Sequence, residues 1–144
     1  MEKIISYPIS IISLLLFLLT IVIFHPIQWI CFNLFGYQAH KKSVDYLNFI
    51  LLRIAHLLGI TFKIENRELI PKGVPIIFVA NHQSMYDIIG IIWFLRRFHP
   101  KFVSKKELGK GVPSISYNLN HGGSVLIDRN DPKQAIIEIK KLSE

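Results

Sequence analysis

Three features of the sequence predict an α/β protein: an N-terminal membrane helix or helical hairpin followed by a partial, mixed α/β domain truncated at its C-terminus. The first is a long uncharged run near the N-terminus. The second is an alternation of strand-like and helix-like segments after Gly59. The third is a last helix, closed by Glu144, with no further strand to pair beside Ser124–Asp128. At 144 residues the chain holds at most one modest domain. The boundaries this implies are 1–60 for the membrane-anchoring helices and 61–144 for the α/β part. A hydrophobic content of 51% and a mean hydropathy of +0.37 exclude disorder and point to a membrane-associated protein. Lys and Arg number 17 against 10 acidic residues, a net charge of +7. That excess calls for an anionic partner: a phospholipid surface, a phosphorylated substrate or nucleic acid. The single cysteine, Cys31, leaves no disulfide framework and no cysteine-based metal site within the chain.

The run Ile4–Phe24 carries no charge over 21 residues. As a helix it is about 31 Å long, matching a hydrocarbon core of about 30 Å. Leu14-Leu15-Leu16-Phe17-Leu18-Leu19 leaves it no polar stripe, and Pro8 falls near its start, where a first turn tolerates proline. A cleaved signal peptide is the rival reading. Against it stand a basic flank of Lys3 alone, the length of the run, and the lack of a small-x-small cleavage site. His25–Tyr37 stays apolar, with Trp29 and Tyr37 suited to a membrane interface. Lys41 and Lys42 then place the C-terminal side of the anchor in the cytoplasm. Asp45–Ile60 repeats Leu47, Ile50, Leu51, Ile54, Leu57 and Leu58 at helical spacing. It either lies in the interface or pairs with the first helix as a hairpin dipping into one leaflet.

Beyond Gly59 the period changes. Thr61–Glu65 alternates in steps of two and reads as a strand, and Pro71-Lys72-Gly73 as a turn. Val74–Ala80 is a continuous apolar run of the kind buried on both faces of a sheet, with Pro75 tolerable near its start. Met85–Leu95 reads as a helix ended by Arg96 and Arg97. Lys101–Ser104 is a further strand, Gly109–Pro113 a turn, and Ser124–Asp128 another strand. Asp131-Pro132 is an N-cap followed by proline at the first helical position, opening a helix with Ile136, Ile137 and Ile139.

The candidate chemistry begins at Asn81-His82-Gln83-Ser84-Met85-Tyr86-Asp87, between the apolar run and the following helix. Asp87 in the first turn can fold back onto His82, fixing its tautomer and leaving the other ring nitrogen free to take a proton from a hydroxyl. The same residues also read as a capping box, Ser84-x-x-Asp87, with no chemistry attached. The stretch Arg96–Lys110 holds Arg96, Arg97, Lys101, Lys105, Lys106 and Lys110 against Glu107 alone. It is either a solvated surface or a docking patch for anionic headgroups or a phosphorylated substrate. Nucleic acid fits poorly, because a membrane anchor precedes the patch and no reading helix accompanies it. Arg129, at the end of Val125-Leu126-Ile127-Asp128, either grips a phosphate or pairs with Asp128, Asp131 or Glu107. The histidines His25, His40, His56, His99 and His121 show no ligand spacing, so no metal site is expected.

Taken in order, these segments resemble the 1-acyl-sn-glycerol-3-phosphate acyltransferases, the lysophosphatidate acyltransferases of the wider glycerolipid acyltransferase superfamily. The N-H-x4-D motif is matched by Asn81-His82-Gln83-Ser84-Met85-Tyr86-Asp87. The lysine block is matched by Val103-Ser104-Lys105-Lys106-Glu107-Leu108 with Pro113 following, and the apolar I-D-R strand by Val125–Arg129. The family's glutamate-glycine-threonine-arginine block and its later proline-containing strand are absent from this chain, and Ser116 stands where a glycine is common.

The resemblance implies acyl transfer from acyl-CoA or acyl carrier protein to the free hydroxyl of lysophosphatidic acid. His82 is then the general base, Asp87 its orienting partner, and Lys105 and Arg129 the residues that bind the acceptor phosphate. Attack on the thioester is direct, so Ser84 is not a nucleophile. No metal or tightly bound cofactor is implied, and the partners are membrane phospholipid, acceptor and donor. Two alternatives accompany this reading: a lipid acyltransferase with a different acceptor, and an inactive membrane-anchored fragment that binds anionic lipid.

Overall fold

A computed structural model describes residues 2–142, with side chains from Tyr7 onward. The expectations that rest on Lys3 and on the closing Glu144 concern side chains outside that range. Helix α1 (Glu2–Phe35) and helix α2 (Tyr37–Leu57) form an antiparallel hairpin. The reversal takes a single residue, Gly36, at φ 78° and ψ −175°, backbone that a side chain would strain. The pairing of the first two helices, one element of the hairpin expected for the front third, is therefore present. Its first arm differs in two ways from the reading above. The helix begins at Glu2, so Pro8 lies inside it rather than in the first turn, and it continues through Pro26 to Phe35. Each proline deprives one carbonyl of its helical donor, a loss that packing against neighbouring helices accommodates. The second arm starts eight residues before Asp45 and takes in Lys41 and Lys42.

Leu47, Leu51, Leu52 and Ile54 of α2 are buried with Ile21 of α1 and with Ile89 of α3 (Met85–Phe94). Phe17, Phe24, Phe62, Trp93 and Phe94 close this core from the sides. The outward face of α1 is bare apolar surface, including Leu14, Leu15, Leu19 and Val22. Tyr7–Phe35 is long and apolar enough to cross a membrane by length and composition, and only 11% of its most apolar stretch is buried.

The α/β expectation holds in part. Among the described residues the sheet is one parallel pair, β1 (Val103–Lys105) and β2 (Val125–Ile127), in the register Val103 to Val125 and Lys105 to Ile127. Between them lie a 3-10 turn, Lys106–Gly109, and helix α4 (Ile115–His121). Helix α5 (Pro132–Lys140) follows β2, with Asp131 accepting from the amides of Lys133 and Gln134 as its cap. Two expected strands are not formed. Val74–Ala80 forms no regular element and has no ladder partner among the described residues, and Ile77 and Val79 are 91% and 93% exposed rather than buried on both faces. An apolar run becomes a buried strand only when neighbours take its amides and carbonyls, and among the described residues no strand pairs with it. Thr61–Glu65 is also irregular. Its Phe62 packs on Phe94 and lies so near Gly90 that a Cβ there would meet the ring at 2.9 Å, whereas Ile64 is exposed.

Ser114 fastens this second half to the hairpin. Fully buried at φ 59°, it donates its hydroxyl to the Ile21 carbonyl at 2.6 Å and its amide to His25 Nδ1 at 3.2 Å. Ile21 and His25 lie near the middle of α1, and closer to its C-terminus Asn33 donates to the Tyr117 hydroxyl at 3.3 Å. The second half thus lies alongside α1, not beyond one end of it.

Candidate active site

Ser84, extended at φ −145° and ψ 150°, caps α3, and Asp87 sits in its first turn. A single oxygen, Asp87 Oδ2, accepts three hydrogen bonds: from the Gln83 amide at 2.9 Å, the Ser84 amide at 2.8 Å, and His82 Nδ1 at 3.2 Å. The capping box and the His–Asp pair, which the sequence presents as alternatives, are thus made by one carboxylate. The Ser84 and Gln83 amides, with His82 adding to them, hold the Asp87 carboxyl below the usual carboxylate range. With Nδ1 as donor to Asp87, His82 Nε2 carries the lone pair. The pair is open to solvent, His82 at 52% and Asp87 at 39% side-chain exposure.

Beside this loop an apolar cavity of about 450 Å³ opens between α1 and the start of α3. Ser13, Leu14, Phe17, Leu18, Leu58 and Met85 are among its walls, and Tyr86 adjoins Asp87. The Ser13 hydroxyl is buried there without a hydrogen-bond partner.

Lys105 and Arg129 both lie at the C-terminal end of the parallel pair. Lys105 is the last residue of β1, beside Ile127, and Arg129 follows β2 by two residues. Both are exposed. Among the described residues Arg129 makes none of the three ion pairs considered for it. Asp128 faces Lys106 at 3.9 Å and accepts from the Asn130 amide, while Asp131 is taken by α5. Among the described residues no hydrogen bond links Lys105 or Arg129 to the His82–Asp87 pair.

The basic stretch is divided rather than continuous. Arg96 lies over the Trp93 ring at 4.1 Å, and Lys101 precedes β1, at the opposite end of the strands from Lys105. A cluster that sequence reasoning missed surrounds Lys101, whose ammonium contacts the Tyr37 hydroxyl, the Gly122 carbonyl and His99 Nε2. Chain separations of up to 85 residues hide it from any local pattern. A tyrosine at a one-residue helix turn is the one local signal of it. No group of three or more metal-ligating side chains occurs among the described residues.

The chain belongs to the Acyltransferase family, whose model matches residues 61–144. Among curated proteins it is similar to a 1-acyl-sn-glycerol-3-phosphate acyltransferase of Helicobacter pylori, 38% identical over 71 residues, which is 47% of this chain and 28% of that protein. The human 1-acyl-sn-glycerol-3-phosphate acyltransferase alpha is 25% identical over 103 residues, 72% of this chain and 36% of that protein. An uncharacterized acyltransferase of Schizosaccharomyces pombe is 37% identical over 82 residues, 56% of this chain and 28% of that one. The chain therefore covers well under two thirds of each relative's length. No solved structure matches it.

Proposed function

We propose that this protein moves an acyl group from a thioester donor, acyl-CoA or acyl carrier protein, to the free hydroxyl of lysophosphatidic acid, giving phosphatidic acid. The observation that carries the reading is the His82 Nδ1 to Asp87 Oδ2 bond at 3.2 Å in a chain of the Acyltransferase family. Asp87 fixes the ring, and Nε2 accepts the acceptor's hydroxyl proton as its oxygen bonds to the thioester carbon. The tetrahedral oxyanion collapses, the C–S bond breaks, and the proton passes from His82 to the departing thiolate. The amides of Gln83 and Ser84 are already committed to Asp87, so donors to the oxyanion come from other groups. Lys105 and Arg129 hold the acceptor phosphate; the unpaired guanidinium of Arg129 supports this, since its fork suits two phosphate oxygens. The apolar cavity next to Met85 takes an acyl chain.

The hairpin delivers the lipid. In this reading α1 and α2 sit together in one leaflet, with the bare apolar face of α1 toward lipid and Lys41 and Lys42 on the cytoplasmic side; the position of the second half beside α1 supports it. The experiment is an acceptor panel in mixed micelles with acyl-CoA, following product by mass. Phosphatidic acid formed faster than the products from glycerol-3-phosphate or lysophosphatidylcholine supports the reading. Equal rates with every acceptor contradict it.

A further inference from the structure

A second cavity, walled by charged and polar side chains together with Val44, Ile92 and Phe102, lies toward the other end of α3 from Asp87, about 10 Å along the helix axis. It measures about 30 Å³, and its walls include Tyr37, His40 and Lys41 from α2, with Arg96 and His99 beyond the end of α3. Its charge balance is unusual. Lys41 is paired with Asp45 at 2.9 Å, which uses the one carboxylate lining the cavity. Among the described residues no carboxylate pairs with Arg96 or with Lys101, which reaches Tyr37 and His99 in the cavity wall. Arg96 gives one nitrogen to the Trp93 carbonyl and stacks on that ring, leaving donors of its fork unused. Lys101 is held by neutral oxygens and an imidazole. His40 is 1% exposed, and both its ring nitrogens lack a hydrogen bond of normal geometry, though Asn118 and the Gln28 backbone are near.

A partly buried guanidinium such as that of Arg96 is costly without a counter-charge, and the buried imidazole of His40 adds to that cost, while the more exposed Lys101 brings a further positive charge to the same wall. Two groups register the excess. Burial, and then Lys41, push Lys101 down to about 8, and burial, then Lys101, Lys41 and His40, push His99 down to about 4. A tetrahedral anion supplies the missing charge and acceptors together. Its surroundings indicate a lipid source: the pocket opens beside the hairpin turn, where Leu34 and Phe35 are 69% and 71% exposed.

We propose that the cavity walled by Tyr37, Lys41, Arg96 and His99, with Lys101 at its edge, binds the phosphate of an anionic phospholipid at a site separate from the His82–Asp87 pair. This holds whether or not the acyl-transfer reading does.

The test uses the full chain in neutral detergent, reading the His99 ring by NMR, with three arms. Inorganic phosphate probes the chemistry, phosphatidylglycerol bicelles the lipid source, and phosphatidylcholine bicelles serve as the control. A rise of the His99 pKa with phosphatidylglycerol, larger than with millimolar phosphate and absent with phosphatidylcholine, supports a lipid headgroup. A rise with inorganic phosphate alone keeps the phosphate site but assigns it a soluble ester. No movement in any arm overturns the proposal. Vesicle binding gives the second readout. Arg96→Gln lowers the preference for phosphatidylglycerol over phosphatidylcholine about tenfold, the loss of one charge-assisted contact. Lys110→Gln, an exposed charge elsewhere on the basic stretch, changes it less than twofold. Equal losses from both variants mean a diffuse basic surface and overturn the site.

Discussion

Asp87→Asn separates two jobs that one oxygen performs. All three hydrogen bonds at Asp87 end on Oδ2, from the amides of Gln83 and Ser84 and from His82 Nδ1. An amide oxygen in the same place still accepts all three, so the α3 cap and the His82 ring orientation survive. The negative charge that stabilises the imidazolium during proton transfer is lost. General-base assistance contributes about 10²–10⁴-fold in rate. The pair is open to water, at 52% and 39% side-chain exposure, so screening puts the expected loss at the lower end, about 10²-fold. The assay is acceptor-dependent thiol release from acyl-CoA, with circular dichroism to confirm that helix content is unchanged. Asp87→Ala should lose activity to the same or greater degree and, unlike Asp87→Asn, lower the melting temperature by removing the cap. Activity within about threefold of the native chain in a folded Asp87→Asn variant would refute the electrostatic role and leave Asp87 as a helix cap.

Three further outcomes follow from the same geometry. Leu51→Ala, at a position 4% exposed where α1, α2 and α3 meet, should cost about 2–5 kcal/mol in denaturant unfolding; a cost below 1 kcal/mol would mean that the hairpin does not pack on α3 as described. His99 has a native pKa of about 4 against 6.5 unfolded, so between those values the unfolded chain binds the extra proton. Its contribution to stability is complete above pH 6.5 and lost as the pH falls toward 4. The melting temperature of the native chain should therefore fall more steeply over that window than that of His99→Gln, and parallel curves would contradict the burial of His99. Arg129→Ala should raise KM for lysophosphatidic acid with little change in kcat, since the guanidinium is assigned to binding alone; an unchanged KM would remove Arg129 from the acceptor site.

What the sequence discloses depends on whether the cause is local. Ser84 and Asp131-Pro132 announce the starts of α3 and α5 because a cap is an interaction among residues at most three apart. The proximity of His82 and Asp87 is legible for the same reason, whereas Lys105 and Arg129 share only an end of the strand pair. Val74–Ala80 misleads because its apolar run reports a suitability for burial, whereas strand formation needs ladder partners that composition does not name. Helix α4 escapes notice because it is seven residues long and starts from Ser114 at φ 59°, without a side-chain cap. The pocket at Tyr37, His99 and Lys101 is invisible for the opposite reason to the caps. It exists only after a hairpin turn, the end of α3 and the start of β1 are brought together, and its signature is a missing carboxylate.

The most direct test of the central claim is thiol release from acyl-CoA, with and without lysophosphatidic acid, by the native chain and by His82→Ala in the same detergent. The account predicts release that depends on the acceptor and falls at least about 10²-fold in the variant while lipid binding persists. Acceptor-dependent release at equal rates in both chains would contradict it.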